Sequence, residues 1–252
     1  MRLQGRVGLV TGAGNGIGRA VAIMMAREGA AVVAADNSDQ IHDTASKIEA
    51  EGGRCHPVQS DVGTEEGCAL AVETAEDSFG GLQAVVHSAA VSRGGTVATI
   101  QKEDWQRVMD VDLSSAFYLG RACIPVMERS GGGAIVLVAS QLGLAGARGS
   151  VAYTAAKGGL VNLTRSMALD HAEQEIRVNC LCPGPVETAF LERSFERQPD
   201  PSAARDGLLA KVPLGRFGRA EEIAHGAIFL VSPETAFMTG TTLIMDGGYL
   251  AQ

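Results

Sequence analysis

The clearest indication of the fold is the glycine-rich segment Thr11-Gly12-Ala13-Gly14-Asn15-Gly16-Ile17-Gly18. It follows an apolar run at residues 7–10 and precedes a segment with apolar side chains at helical spacing, which predicts a strand, a turn and a helix. Glycines in such a turn let the backbone approach a pyrophosphate, and the helix start offers free N–H groups and a positive dipole end. A tight turn without a ligand would have a similar sequence. The residues predicted to contact a nucleotide here are Gly12, Asn15, Gly16, Ile17 and Gly18.

Apolar runs of strand length alternate with segments of helical period along the rest of the chain. The runs are continuously apolar, which is typical of a parallel sheet covered on both faces. The alternation predicts an α/β protein, with a single-domain, Rossmann-type, doubly wound fold across residues 1–252. After the first strand, the predicted strands are 31–35, one leading from 58 to 61–62, 84–87, 134–138, 178–181 and 242–245. The predicted helices include 45–50, 68–79, 102–128, 154–170 and 220–231.

One stretch, at residues 187–219, does not follow this alternation. It contains Pro199, Pro201 and Pro213 among charged and bulky apolar residues. A long irregular insertion in a compact domain is either a surface excursion or a functional loop. The functional interpretation makes this segment a lid over a substrate pocket.

The composition restricts the classes of partner. A net charge of −8 over 252 residues argues against nucleic acid or an anionic membrane as the main partner. No apolar run approaches the ~20 residues that a transmembrane helix needs. Five cysteines without framework spacing, and a start unlike a signal peptide, predict reduced thiols and a cytoplasmic location. The cysteines and histidines show no metal-ligand spacing, so we expect no metal.

Asp36 ends the second predicted strand, 18 residues after Gly18. An acidic side chain at this point of a nucleotide-binding fold accepts hydrogen bonds from the adenosine ribose hydroxyls. It would also repel a 2′-phosphate, and Asn15 and Asn37, where a basic residue would favour NADP, are uncharged. The sequence therefore predicts NAD. Asp61, followed by Val62, either bounds the adenine or belongs to an ordinary turn.

Tyr153 and Lys157 are four residues apart and therefore share a helix face. A nearby ammonium stabilises a phenolate and lowers the pKa of the tyrosine, which is ordinarily ~10. That effect would make Tyr153 an acid/base catalyst near neutral pH. Ser140, at the end of the fifth predicted strand, could hold a carbonyl or alkoxide oxygen. Tyr-x-x-x-Lys by itself is also common on solvated helix faces.

Together with the glycine pattern, these residues make residues 5–249 resemble the short, single-domain branch of the short-chain dehydrogenase/reductase family. The resemblance implies a seven-stranded parallel sheet flanked by helices, a nicotinamide cofactor and a homotetramer. It implies that Ser140 orients the substrate oxygen, that Tyr153 exchanges its proton, and that Lys157 holds the nicotinamide ribose and lowers the tyrosine pKa. Further cofactor contacts implied by the resemblance are Ala89, Pro183, Gly184, Val186 and Thr188.

Two positions depart from the family pattern. The family usually has Asn-Asn-Ala-Gly after the fourth strand, where this chain has His87-Ser88-Ala89-Ala90. Asp112 stands where the catalytic tetrad normally has asparagine. One interpretation of Asp112 is near-isosteric replacement; the other is that its charge stabilises the Lys157 ammonium, partly offsets its effect on Tyr153 and moves the pH profile to alkaline values.

The substrate pocket is predicted after Ser140, after the fourth strand and in the lid. The principal candidates are Gln141, Leu142 and Phe190, with Leu144, Val91, Ser92, Arg93, Leu191, Phe195, Leu208, Glu187 and Arg193 around them. Arg93, Arg148 or Arg193 either meets a carboxylate or is solvated. The mixture suits a small or medium cyclic alcohol, hydroxy-ketone or polyol.

Three functions are consistent with the sequence. The first is NAD-linked transfer of a hydride between the cofactor and a secondary alcohol or ketone. The second is reduction of a 3-oxoacyl thioester, a reaction that generally uses NADPH. The third is a catalytically silent NAD-binding regulatory or scaffold protein. Asp36 favours the first function over the second, and the Ser140, Tyr153 and Lys157 set argues against the third.

Overall fold

The parallel sheet expected from the apolar runs is confirmed. The computed structural model describes all 252 residues of the chain. The strands are β1 (Val7–Thr11), β2 (Ala31–Asp36), β3 (Arg54–Gln59), β4 (Ala84–His87), β5 (Gly133–Val138), β6 (Ile176–Pro183) and β7 (Thr242–Met245). They form one seven-stranded sheet in the order β3-β2-β1-β4-β5-β6-β7, with every neighbouring pair parallel.

The chain forms nine α-helices, and most of them pack against the two faces of the sheet. They are α1 (Gly16–Arg27), α2 (Gln40–Ala50), α3 (Glu65–Phe79), α4 (Lys102–Met109), α5 (Ser115–Arg129), α6 (Val151–Asp170), α7 (Ala189–Glu196), α8 (Pro201–Leu209) and α9 (Ala220–Val231). Leu9 belongs to a core with residues of α3, α5 and α6, whereas the adjacent Val10 belongs to a core with residues of α1 and α9. Successive strand residues point to opposite faces, so burial on both faces explains the continuous apolar runs. None of the helices combines the length and apolar character needed to cross a bilayer.

The third strand begins earlier than its apolar residues indicate. It spans Arg54–Gln59, and Asp61 and Val62 follow its end. It is an edge strand, and its burial alternates between exposed and partly buried side chains, so only Val58 stands out as apolar. Pro57 is tolerated there because an edge strand has one side free of ladder hydrogen bonds.

The helical stretch predicted at 102–128 is confirmed, but it is not α-helical throughout. The segment consists of α4, a π-helical turn at Asp110–Ser114, and α5. A π turn inserts an extra residue into the helix and changes the direction of its side chains. This turn places Asp112 in the interior, where none of its surface is exposed.

The stretch 187–219 contains two helices, α7 and α8, rather than only irregular chain. Their first turns are capped by Thr188 and Asp200, whose side-chain oxygens accept hydrogen bonds from Leu191 N and Ala203 N. Pro201 is the first residue of α8, a position at which proline's missing N–H costs nothing. The prolines that suggested irregular structure therefore lie where helices begin or between them.

The strand order reverses beside β1, which pairs with β2 on one side and with β4 on the other. In open parallel sheets, a ligand crevice forms at the carboxyl ends of the strands at such a point. The glycine turn follows β1, Asp36 ends β2, and Ser140 comes shortly after β5. The fold thus brings the nucleotide and chemical motifs to the same edge of the sheet.

Candidate active site

The glycine turn packs closely against the loop that follows β4. Gly12 has a φ of +67°, and a Cβ atom there would lie 2.8 Å from Ala89 Cα, so only glycine fits. Asn15, which precedes α1, makes no side-chain capping bond. The N–H groups of the first helical turn therefore lack a side-chain acceptor, an arrangement suited to a pyrophosphate.

Asp36 lies beside this turn and lines the same cleft. Its Oδ2 accepts a hydrogen bond from Gly14 N at 2.9 Å, and its Oδ1 accepts from Ser38 N at 2.9 Å and from Ser38 Oγ at 2.7 Å. A carboxylate has about four acceptor sites, so about one is left for a ligand. Rotation of the Ser38 hydroxyl would free a second site.

Asp61 forms an ion pair with Arg107 of α4. Arg107 Nη2 lies 3.1 Å from Asp61 Oδ1 and 3.0 Å from Oδ2, and Gly63 N donates to Oδ1 at 2.9 Å. Asp61, Val62 and Arg107 all line the cleft. The sequence interpretation missed Arg107 because no local spacing connects it with a partner 46 residues away.

Tyr153 and Lys157 lie one turn apart on α6. Lys157 Nζ is 5.4 Å from the centre of the Tyr153 ring and donates a hydrogen bond to Val138 O at 3.2 Å. The ring of Phe190, on α7, lies 5.9 Å from the Tyr153 ring between centroids. Lys157 is only 1% exposed, so little solvent screens its charge.

Ser140 caps a short 3₁₀ turn that begins at Gln141. Its Oγ accepts a hydrogen bond from Leu142 N at 3.1 Å and donates to Gln141 Oε1 at 2.8 Å. Ser140 is 6% exposed and lines the cleft with Tyr153. A substrate oxygen that accepts the Ser140 proton would therefore have to displace Gln141.

Asp112 lies behind Lys157 and does not line the cleft. Its Oδ2 is 3.3 Å from Lys157 Nζ, and its Oδ1 accepts a hydrogen bond from Val91 N at 2.7 Å. The alignment at Oδ2 does not meet hydrogen-bond geometry, so this contact is an ion pair only. Unlike an asparagine amide, the Asp112 carboxylate cannot donate a hydrogen bond to a backbone carbonyl.

The charges of this cluster shift one another's titration. Burial raises the pKa of Tyr153; the Lys157 ammonium opposes the shift and the Asp112 carboxylate adds to it. Burial acts to lower the pKa of Lys157, but Asp112 and Tyr153 raise it above its ordinary value. Burial raises the pKa of Asp112 against the opposing effect of Lys157. The Lys157 cation therefore favours the phenolate of Tyr153, and the Asp112 carboxylate disfavours it.

His87 is buried at the end of β4 in a chain of hydrogen bonds. Its Nδ1 lies 2.8 Å from Thr11 Oγ1, and its Nε2 lies 2.8 Å from Ser115 Oγ. Ser115 Oγ donates to Val111 O in the π turn, so it accepts from Nε2–H, and Nδ1 accepts from Thr11. Burial lowers the pKa of His87 to about 3, and Lys157 adds to that shift. His87 is therefore neutral and links β1 to the π turn.

One cleft of about 1270 Å³ joins the two ends of the site. Of the predicted site residues, all but Asp112 line it: Gly12, Asn15, Gly16, Ile17, Gly18, Asp36, Asp61, Val62, Ala89, Ser140, Gln141, Leu142, Tyr153, Lys157, Pro183, Gly184, Val186, Thr188 and Phe190. Among the other pocket candidates, Leu144, Arg93 and Glu187 do not line it. Arg93 pairs with Asp104 at 3.1 Å instead. No group of histidine, cysteine, aspartate or glutamate side chains is arranged to hold a metal.

A doubly wound sheet with a glycine turn, and a tyrosine and lysine at its carboxyl edge, defines a nucleotide-dependent oxidoreductase. A family model described as enoyl-(acyl carrier protein) reductase matches residues 12–250. A 3-oxoacyl-[acyl-carrier-protein] reductase of Thermotoga maritima is 36% identical over 98% of this chain and 99% of its own. The chain belongs to the short-chain dehydrogenase/reductase family, whose members use a nicotinamide cofactor.

Other relatives have different substrates. The cis-4-hydroxycyclohexanecarboxylate dehydrogenase of Sinomonas cyclohexanicum is 37% identical, with 98% of this chain and 97% of that protein covered. The cyclohexanol dehydrogenase of Acinetobacter sp. is 33% identical, with 100% and 97% covered. Among solved structures, a putative short-chain dehydrogenase/reductase from Burkholderia xenovorans has a TM-score of 0.95 at 32% identity, covering 100% and 98%. A putative 2-deoxy-D-gluconate 3-dehydrogenase from Agrobacterium tumefaciens, with bound NADP, has a TM-score of 0.90 at 32% identity, covering 99% and 98%.

Proposed function

We propose that the protein is an NAD-dependent dehydrogenase that interconverts a secondary alcohol and its ketone. The chain is an oxidoreductase of a family that acts on CH–OH groups. The observation that supports NAD-dependent alcohol–ketone interconversion is that Tyr153, Lys157 and Ser140 share one cleft with the acidic Asp36 at its nucleotide end. In this proposal Tyr153 is the acid/base group at one end of the cleft, and Asp36 at the other end disfavours a 2′-phosphate.

The residues present fit a nicotinamide dinucleotide. The uncapped start of α1 and the close-packed Gly12 suit a pyrophosphate, and Asp36 retains about one acceptor site for a ribose hydroxyl. Asp61, Val62 and Ala89 would bound the adenine side; Pro183, Gly184, Val186 and Thr188 would hold the nicotinamide side. When bound, the cofactor accepts or supplies the hydride.

Tyr153 would exchange a proton with the substrate oxygen through its phenol Oη. In the oxidative direction the phenolate takes the hydroxyl proton, and in the reductive direction the phenol returns it. Lys157 favours the phenolate and would bind the nicotinamide ribose through Nζ. Ser140 would orient the substrate oxygen once Gln141 gives up its hydrogen bond. Asp112, which does not line the cleft, would act on Tyr153 through its charge.

The substrate we propose is a small or medium cyclic alcohol, hydroxy-ketone or polyol. Gln141, Leu142 and Phe190 provide one polar and two apolar surfaces near Tyr153, and two relatives are named for hydroxylated cyclohexanes. The segment with α7 and α8 would close over this substrate as a lid. Reduction of a 3-oxoacyl thioester is the second candidate, supported by the name of the Thermotoga relative.

A screen of secondary alcohols and ketones tests the function, with Tyr153→Phe as the matched control. We expect NAD-linked turnover of at least one cyclic alcohol and a loss of about 10²–10⁴-fold in kcat for Tyr153→Phe, because the phenol carries the proton. Near wild-type activity of Tyr153→Phe would contradict the mechanism. A protein that binds NADH but turns over nothing in a broad panel would be a silent nucleotide-binding protein instead.

Cofactor selectivity is tested separately, because a solved structure similar to this chain has NADP bound. We expect NADH to bind at least about tenfold more tightly than NADPH, since like charges placed together are costly. Asp36→Ala should bring the dissociation constants of NADH and NADPH closer together, mainly because the variant binds NADPH more tightly. Equal dissociation constants for the two dinucleotides in the wild type, measured by fluorescence titration, would reject NAD selectivity and favour the thioester reductase.

We also propose a cytoplasmic homotetramer. The support is the family resemblance together with exposed apolar side chains on two separate parts of the surface, among them Phe117 on α5 and Ile244 on β7. A tetramer of dihedral symmetry needs two different self-complementary surfaces.

A further inference from the structure

The charges along the cleft are not evenly distributed. At the nucleotide end, Asp36 is held by N–H and O–H donors and Asp61 is paired with Arg107. At the chemical centre, Lys157 is paired with the buried Asp112. Three further charged residues line the cleft, and all are cations: Arg148, Arg193 and Lys211.

These three cations have no protein partner. None forms a salt bridge with a carboxylate, and none donates a side-chain hydrogen bond. Arginines elsewhere on the surface are commonly paired, as Arg27 is with Glu51 at 2.6 Å and Arg205 with Glu192 at 2.7 Å. Arg6 and Arg197, outside the cleft, also form no ion pair, so what distinguishes Arg148, Arg193 and Lys211 is that all three line one cleft in a chain whose net charge is −8.

The three side chains approach the chemical end from separate elements. Arg148 lies five residues before Tyr153, in the loop that leads into α6. Arg193 lies on α7, one turn after Phe190, whose ring packs 5.9 Å from that of Tyr153. Lys211 follows the end of α8. The elements that border the substrate end thus each contribute positive charge.

Apolar side chains line the same cleft as these cations and Tyr153. Leu142 comes from the loop after β5, Val91 from the loop after β4, and Leu191, Phe195 and Leu208 from the α7–α8 segment. An apolar wall with charges of one sign at its border suits a ligand with an apolar body and an oppositely charged group. A cleft lined by one sign of charge also concentrates ligands of the other sign.

We infer that the substrate is an alcohol or ketone that carries an anionic group, such as a carboxylate, beyond the carbon that is oxidised or reduced. Arg148, Arg193 and Lys211 select it through that group, while Tyr153 acts at the hydroxyl end. This inference rests on the proposed dehydrogenase function and deepens it. The competing occupant is the pyrophosphate of the cofactor, which Arg193 could reach from α7.

The test compares substrates that differ only in charge. Pairs such as 4-hydroxycyclohexanecarboxylate and its carboxamide, or 3-hydroxybutyrate and its carboxamide, are assayed for kcat/KM with saturating NAD at low and high salt. We expect the carboxylate of at least one pair to be favoured by about tenfold or more, since three cations act on it together. That preference should decrease at high salt, because the cations are exposed.

The variants are Arg148→Gln, Arg193→Gln, Lys211→Gln and their combination. Each single change should lower kcat/KM for the carboxylate about two- to fivefold and leave the amide unchanged, as expected for exposed ion pairs. The triple variant should remove most of the preference. Arg197→Gln is the matched control, because Arg197 is an exposed arginine beside α7 that does not line the cleft.

Equal kcat/KM for both members of every pair in the wild type would overturn the inference while leaving the dehydrogenase function intact. An unchanged preference in the triple variant would also overturn it. Weaker NADH binding in Arg193→Gln, with the preference retained, would assign that residue to the pyrophosphate. If neither member of any pair is turned over, the test becomes the dissociation constants of cyclohexanecarboxylate and its amide for the enzyme–NADH complex. Tighter binding of the carboxylate that is lost in the triple variant supports the inference. Equal binding of the two compounds rejects it.

Discussion

Asp112 lies behind Lys157 rather than in the cleft, so its influence on Tyr153 passes through charge and not through contact with substrate. With Oδ2 3.3 Å from Lys157 Nζ and Oδ1 on Val91 N, the carboxylate both partners the ammonium and anchors the loop after β4. Asparagine would keep an acceptor for Val91 N but remove the negative charge. The substitution Asp112→Asn therefore separates the structural role of Asp112 from its electrostatic role.

We predict that Asp112→Asn moves the titration of Tyr153 to lower pH. Asp112 contributes to raising the pKa of Tyr153, so loss of its charge should lower that pKa, provided that Lys157 stays protonated. In alcohol oxidation, which needs the phenolate, the rise of kcat/KM with pH should then occur at lower pH than in the wild type. Profiles of the two proteins that superimpose would leave Asp112 with its anchoring role alone.

The stability of the same variant provides the control for this experiment. Removing one partner of a buried ion pair can destabilise a protein by about 3–5 kcal/mol. The pH profiles should therefore be recorded well below the thermal midpoint of Asp112→Asn. Asp104→Asn, which breaks the exposed pair with Arg93, is a matched surface variant and should change neither profile nor stability measurably.

Among the elements, the π turn at Asp110–Ser114 depends on contacts that come from distant parts of the sequence. Ser115 holds Val111 O, and His87 connects Ser115 to Thr11 at the end of β1. These hydrogen bonds connect β1, which leads into the glycine turn, to the π turn that carries Asp112. His87 thus takes the position of a family asparagine with a longer side chain that reaches two partners.

We predict that His87 makes the fold sensitive to acid. Its pKa is about 3 in the folded protein and ~6.5 when unfolded, so between these values only the unfolded state binds the proton. Stability should therefore fall as the pH decreases through this window, by about 2 kcal/mol between pH 7 and pH 5. In urea unfolding, the free energy of unfolding should change less between pH 7 and pH 5 for His87→Asn than for the wild type. An equal difference would mean that His87 does not carry the effect.

The elements also show how far the sequence determines the fold. Strands buried on both faces, such as β1 and β4, are continuous apolar runs and were predictable. The edge strand β3 buries few side chains, so the apolar pattern predicted only its last residues as strand. The π turn has no signature in the local sequence, because it is fixed by His87 from β4. The helices α7 and α8 were not predicted because nearby prolines suggested irregular structure, whereas these prolines lie outside helices or at the start of one.

For the site, residues in sequence motifs were identified and residues defined by distant contacts were not. Gly12, Asp36, Tyr153 and the other cleft residues were found because turn, strand-end and helix spacing place them at one edge of the sheet. Arg107 and Lys211 reach the cleft through tertiary packing alone. The position of Asp112 behind Lys157 depends on the π turn, so spacing could not distinguish it from a cleft residue.

Several apolar side chains of the molecule are exposed away from the cleft, and two sets of them lie on separate elements of the fold. Phe117 of α5 and Leu169 of α6 are 53% and 82% exposed, on the sheet face that α3, α5 and α6 cover. Ile244 of the edge strand β7 is 45% exposed and lines a shallow depression with Leu214. Such surfaces on a folded chain commonly form interfaces. Two of them are what a dihedral tetramer requires.

We predict that charge placed on either region alone produces dimers. Phe117→Glu should disrupt the α5–α6 interface, and Ile244→Lys the β7 interface, because unpaired charges buried between subunits are strongly unfavourable. Sedimentation should give four subunits for the wild type, two for each single variant and one for the double variant. Val97→Glu, at a residue that is 84% exposed and lies outside both regions, should remain tetrameric. A monomeric wild type would reject the tetramer, and a Phe117→Glu variant that stays tetrameric would exclude the α5–α6 surface as an interface.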